Sequence, residues 1–106
     1  LLQMEPEEPN WLLALAYATR RSRGLVFAQQ ILLQAGKIFS NCGTIQFNLA
    51  CYAAQLGQLG EARQRLCRAI ELDKAFTIMA KSDPDLEPIW NEIDKQEIQA
   101  QTNKSR

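Results

Sequence analysis

The chain has no histidine among its 106 residues. That removes the side chain most often used as a general base and as a metal ligand near neutral pH. Cysteine is scarce and odd in number: Cys42, Cys51 and Cys67. Three thiols without a histidine cannot complete a four-ligand zinc site, and they do not form the even set of a disulfide-stapled secreted domain. Free thiols suit a reducing compartment, and a cytoplasmic location is the expectation. Neither sign of charge prevails, since 12 basic residues balance 12 acidic ones. A nucleic-acid binder needs a basic stripe that this balance does not supply. No apolar run approaches the ~20 residues of a membrane span, and no basic region followed by an apolar core opens the chain as in a signal peptide. The five glycines are scattered, so no phosphate-cradling loop is present. A catalytic cysteine needs a base beside it, which leaves Cys51 better read as a small buried residue. The expectation is a protein with no active site, cofactor or metal, and with neither nucleic acid nor membrane as partner.

Apolar residues make up 46% of the chain, which fits one small folded domain. A chain this short buries only about 60–70% of its unfolded surface, so its margin of stability is modest. Charge is unevenly spread. Residues 11–72 hold seven bases (Arg20, Arg21, Arg23, Lys37, Arg63, Arg65, Arg68) against two acids (Glu61, Glu71). A positive centre attracts an acidic partner at long range.

Sliding the sequence by 34 residues matches it to itself without a gap. Leu15 and Ala16 fall on Leu49 and Ala50, Ala28 on Ala62, Leu32 on Leu66, and Ala35 on Ala69. The run Phe47-Asn48-Leu49-Ala50-Cys51-Tyr52, with Gly57, Glu61-Ala62, Leu66 and Arg68 to Asp73, resembles the tetratricopeptide repeat. That pattern reads W-x2-L-G-x2-Y, then A-x3-F, then A, then P. Residues 9–42 resemble a more degenerate copy, and Leu1 to Pro6 the last turns of another. The chain therefore reads as the C-terminal part of a longer array. Its departures are Leu12 and Gln46 for the pattern's Trp, Ala16 and Ala50 for its Gly, Thr19 and Ala53 for its Tyr, and Ser40 and Lys74 for its closing Pro.

The resemblance implies an all-α, right-handed solenoid of helical hairpins, about two repeats plus a C-terminal capping helix. The segments would be 1–8 (end of a preceding repeat or linker), 9–42, 43–74, 75–98 (cap) and 99–106 (polar tail). Periodicity gives the helices independently. Leu12, Leu15, Ala16 and Thr19 share one helical stripe, and Ala28, Leu32 and Ala35 share the next. Leu49, Ala50 and Ala53 repeat the first stripe, and Ala62, Leu66 and Ala69 the second. Turn signals at Arg23-Gly24, Asn41-Cys42-Gly43 and Gly57 to Gly60 separate helices expected near 10–21, 25–37, 44–56 and 60–72. A further short helix is expected over 75–81. Ser82-Asp83-Pro84-Asp85 is a start signal, a capping acid followed by proline at the first helical position. Pro88 falls late for a first turn, so the helix is expected to restart near it, with Leu86, Ile89, Trp90 and Ile93 on one face. This cap would hide the exposed end of the last repeat, and Trp90 would fasten it.

In tetratricopeptide proteins the first helix of each repeat faces a concave groove. On this chain the corresponding positions are Asn10, Leu13, Tyr17, Arg20 and Arg21. Shifted by 34 residues they become Thr44, Phe47, Cys51, Ala54 and Gln55. Two readings of Leu13, Tyr17 and Phe47 stand side by side. They form an apolar strip for an extended peptide or helix, with Arg20 and Arg21 pairing a partner's carboxylate; or they are core beneath a neighbouring helix. Arg20, Arg21 and Arg23 also suit the negative end of a helix dipole. Some family members clamp a terminal carboxylate with Lys, Asn and Arg, but only Asn48 stands at such a position here. The expected partner is a protein or peptide of acidic character, and the alternatives are self-association into a homo-oligomer or service as a regulatory domain of a larger protein. Trp11 lies where a preceding repeat would pack.

Overall fold

The computed structural model describes residues 7–91 and residue 93. The expected fragment at 1–6 and the polar tail at 99–106 lie outside the described residues. Five α-helices and a closing 3₁₀ turn follow one another: α1 (Glu7–Arg23), α2 (Leu25–Ile38), α3 (Gly43–Gln55), α4 (Leu59–Leu72), α5 (Ala75–Ser82) and the turn Pro84–Ile89. No strand occurs among the described residues. The protein is all-helical, with helices packed on one another.

Helix α1 starts a turn earlier than the stripe predicts. Pro9 is no obstacle there, because the first turn of a helix has N–H groups without intrahelical partners anyway. Arg20, Arg21 and Arg23 sit at the negative end of its dipole. A single residue, Gly24, joins α1 to α2. Its φ of 100° lies in the region that side chains avoid, and its N–H donates to the carbonyls of Thr19 and Arg20. Helix α3 ends on a Schellman motif at Gly57, φ 79°. The Gln58 N–H reaches the Ala53 carbonyl at 2.8 Å and the Gly57 N–H that of Ala54 at 3.1 Å.

Helices α1 and α2 form one hairpin, and α3 and α4 a second. The second docks on the first through α2 and α3. Small residues permit this approach: Ala16, Ala28, Ala35, Ala50, Ala53, Ala62 and Ala69 are buried. Leu32, Ile45, Leu49 and Leu66 fill the space between the hairpins' helices. Polar ties run both between the hairpins and within the second one. Gln29 donates to Gln58 at 2.8 Å, and Arg65, held by Glu61 at 2.7 Å, donates to Gln46 at 3.1 Å.

One member of the expected stripes is not core. Leu15 is exposed, whereas Leu49, its equivalent one repeat later, is fully buried. The cause is the neighbour. Helix α2 meets Leu49 at Gly36, whereas Leu15 keeps 40% of its surface open. Thr19 is only half-buried.

The chain's end folds back over α3. The Asp83 side chain caps the closing turn by accepting the Asp85 N–H at 2.9 Å, with Pro84 at its first position, as the motif predicts. The turn is 3₁₀ rather than α, since Pro88 has no N–H to give an i−4 carbonyl. Helical geometry resumes at Trp90, Asn91 and Ile93. Leu86, Ile89 and Ile93 are fully buried, while Trp90 is partly exposed and its indole N–H donates to the Ala80 carbonyl at 2.7 Å. Trp90 thereby ties the closing segment to α5.

Candidate groove along α1 and α3

Of the residues expected to line a groove, the structure keeps some open and covers others. Asn10, Tyr17, Arg21, Thr44 and Gln55 are exposed, and Leu13, Arg20 and Asn48 are half-buried. Phe47, Cys51 and Ala54 are buried. The continuous strip of Leu13, Tyr17 and Phe47 therefore does not form an open surface. Phe47 lies under α5, where its ring stacks on Phe76 with centroids 5.3 Å apart. The core reading holds for Phe47. Leu13 packs partly against the core, and Tyr17 is 56% exposed.

The closing turn occupies the end of the groove nearest Arg20. Arg20 Nη1 donates to Asp85 Oδ2 at 2.9 Å, and Nη2 reaches Oδ1 at 3.5 Å. Gln55 donates to the Asp85 backbone carbonyl at 2.8 Å. The Cys51 thiol donates to Asp83 Oδ2 at 3.7 Å. The guanidinium of Arg20 also lies 5.5 Å above the Tyr52 ring, a cation–π contact. The carboxylate that the sequence assigns to a partner is thus supplied by the chain itself. Hydrogen bonding to Asp85 raises the Arg20 pKa further, against the opposing effect of burial. Arg21 is not drawn into this clasp; its guanidinium rests 6.0 Å over Tyr17. Asn48 turns its amide to the Thr44 carbonyl of its own helix at 2.9 Å, which leaves the carboxylate clamp without a donor set.

Sequence reasoning missed Asp85 and Tyr52 as parts of this site. Asp85 was legible only as an acid near a helix start. Its pairing with Arg20 spans 65 residues, and no local pattern signals it.

Cys51, Asp83 and Asp85 place their ligand atoms within 4.8 Å of one another. Their hydrogen bonds already account for the grouping. Asp85 answers Arg20, while Asp83 caps the turn and accepts the thiol. Burial first, then the charge of Asp83, pushes the Cys51 pKa far above the usual thiol range. The thiolate is the nucleophile, so this thiol is inert in the folded protein. Cys42 and Cys67 are half-buried, and burial also raises the Cys67 pKa. Titration with an aromatic disulfide reagent is expected to label Cys51 only at the rate of unfolding, with Cys42 and Cys67 ahead of it. Mass mapping of the labelled peptides checks the order. The sign of the linkage follows: folding keeps Cys51 protonated, so stability falls as the pH rises through and above the ordinary thiol value of 9.0. Cys51→Ala should flatten part of that alkaline slope in denaturant melts.

A second recess, of about 340 Å³, opens between α2 and α4, lined by Gly36, Gln46, Arg65 and Arg68 among others. Its cations are engaged. Arg65 is held by Glu61 and Gln46, and Arg68 by Asn41 at 2.9 Å and Glu71 at 3.7 Å. No helix among the described residues is long and apolar enough to cross a membrane. Compared with known proteins, the chain matches no family model, no curated protein and no solved structure.

Proposed function

We propose that this chain is a tetratricopeptide-like helical scaffold that binds a segment of another protein without catalysing a reaction. The observation that supports this most directly is the state of the groove. The chain's own Asp85 engages Arg20, while Tyr17 and Arg21 of the same helix stay exposed beside half-buried Leu13. An aromatic ring next to a cation suits a short amphipathic segment with one acidic residue. Asn10, Thr44 and Asn48 supply polar rim groups of the kind that surround such a contact. The 34-residue self-match and the two helical hairpins support the repeat reading. The partner meets Tyr17 and Arg21, because Arg20 is already engaged by Asp85.

Tyr17→Ala combined with Arg21→Glu tests this reading. Both side chains are exposed, so the circular dichroism spectrum and the melting midpoint should stay close to those of the parent. Proteins captured specifically by the parent should be lost from the double variant. They should be kept by Gln34→Glu, an exposed change on α2. Unchanged capture by the Tyr17/Arg21 variant would sink the groove reading.

A further inference from the structure

The recess between α2 and α4 has a volume of about 340 Å³, the low end of the size range of small-molecule sites. Its positive charge comes from two arginines about one turn apart on α4. Arg65 and Arg68, at i and i+3, stand on one side of that helix. Each is engaged through only part of its guanidinium fork. Arg65 gives Nε to Glu61 and Nη1 to Gln46. Arg68 gives Nη2 to Asn41, while its Nη1 stands 3.7 Å from Glu71, an ion-pair distance too long for a hydrogen bond. Arg65 Nη2 and Arg68 Nε have no acceptor among the described residues.

A buried donor faces the same recess. Gln46 lines it and is only 4% exposed. Arginine can only donate, so the amide oxygen of Gln46 must face Arg65 and its NH₂ must face away. On that side lies Gly36, another lining residue, where a Cβ would stand 3.8 Å from Gln46 Nε2. No side-chain acceptor stands there, and Nε2 has no hydrogen-bond acceptor among the described residues. The other buried glutamine, Gln29, does have one, since its NH₂ donates to Gln58 at 2.8 Å. Buried amide donors are nearly always satisfied. The Gln46 donor therefore calls for an acceptor that enters the recess. Exposed Ser40 adds a hydroxyl to the same lining.

We infer that this recess binds the phosphoryl group of a small molecule, held by Arg65, Arg68 and the Gln46 amide. A single carboxylate would only repeat what Glu61 and Glu71 already supply to the two arginines. A phosphoryl group carries a charge of about −1.5 to −2 at neutral pH and offers three acceptor oxygens. Those oxygens are enough to meet both guanidinium groups and the amide at once. Glu61 lines the recess too and opposes any anion. Two arginines and one glutamate leave a net charge of +1, against which a dianion gains about twice what a carboxylate gains. The volume admits free phosphate or a small monoester, and the chemistry that recognises them is the same. This reading does not rest on the groove, which runs along α1 and α3.

NMR titration of the full chain tests the inference, with inorganic phosphate, glycerol 3-phosphate and glycerate as probes. About 0.1 M sodium chloride screens diffuse attraction. The Gln46 side-chain amide signals should shift saturably with a phosphate probe, with a Kd of about 1 mM. The tighter of the two phosphate probes identifies the source, and glycerate should bind at least about fivefold more weakly. Arg68→Gln should weaken binding at least about tenfold, and its fold should be kept because the side chain is 43% exposed. Glu71→Gln removes a competing acid and should tighten binding about threefold. Gln46→Glu still accepts from Arg65 but adds a negative charge, and should abolish binding. Arg23→Gln, away from the recess on α1, should bind like the parent. No saturable shift up to about 20 mM of either phosphate probe overturns the inference. So does glycerate binding as tightly as the phosphate probes, Arg68→Gln binding like the parent, or an equal loss on Arg23→Gln. Binding of a phosphoserine peptide but of neither small phosphate probe would equally overturn it.

Discussion

Leu86→Ala is expected to destabilise the protein by about 2–5 kcal/mol, the range for a fully buried leucine whose site cannot collapse. Leu86 has no exposed surface, and neither do Ile89 and Ile93 beside it in the closing segment. A domain of this size has a stability of about 5–15 kcal/mol, so the loss removes a large share. The polar clasp over the same segment contributes less. The Arg20–Asp85 pair is roughly 70% buried on each side, with one good hydrogen bond at 2.9 Å and one long one at 3.5 Å. Arg20→Gln should therefore cost only about 1–2 kcal/mol. Urea melts of the two variants compare them directly. A loss on Arg20→Gln equal to that on Leu86→Ala would mean that the ion pair holds the closing turn. The comparison bears on function. If burial holds the turn, a partner's acidic residue cannot displace Asp85 cheaply, and the closed end of the groove stays closed.

The helices were legible because their stripes, spaced three and four residues apart, are regular and Gly24 and Gly57 fall between them. Asp83 and Pro84 also announced the closing turn correctly. What the sequence could not show is which stripe meets which neighbour. Leu15 and Leu49 occupy the same place in the same pattern, yet one faces solvent and the other α2. Burial belongs to the pair of helices, and periodicity describes only one of them. The groove failed to be legible as a whole for a related reason. Phe47 and Cys51 project from the correct side of α3, but α5 and the closing turn return to cover them from 29 and 32 residues further along the chain. Tyr17 stays exposed, and the returning segment meets α1 at Arg20. Nothing in residues 10–21 alone distinguishes Arg20, which is engaged, from Arg21, which stays at the surface.

Gly43→Ala and Gly36→Ala should move stability in opposite directions, although both glycines lie in helices. At Gly36 an added Cβ would meet Ile45, Gln46 and Leu49 at 3.7–3.8 Å, ordinary contact distances. The substitution therefore adds packing and removes the entropic disadvantage of glycine in a helix, about 0.5–1 kcal/mol of stabilisation. At Gly43 the same atom would fall 2.6 Å from Phe76 Cε2 and 3.2 Å from Cζ. Phe76 must then move, but its ring is buried and stacked on Phe47. Overpacking of this kind costs about 1–3 kcal/mol, more than the helix propensity returns. The first turn of α3 and the ring of α5 thus set one another's position. Phe76→Leu should relieve the clash, so that Gly43→Ala costs clearly less in that background than in the parent. Thermal melts of the four proteins give the coupling. Additive losses would mean that Gly43 and Phe76 do not constrain each other, and that α5 is free to settle elsewhere on α3.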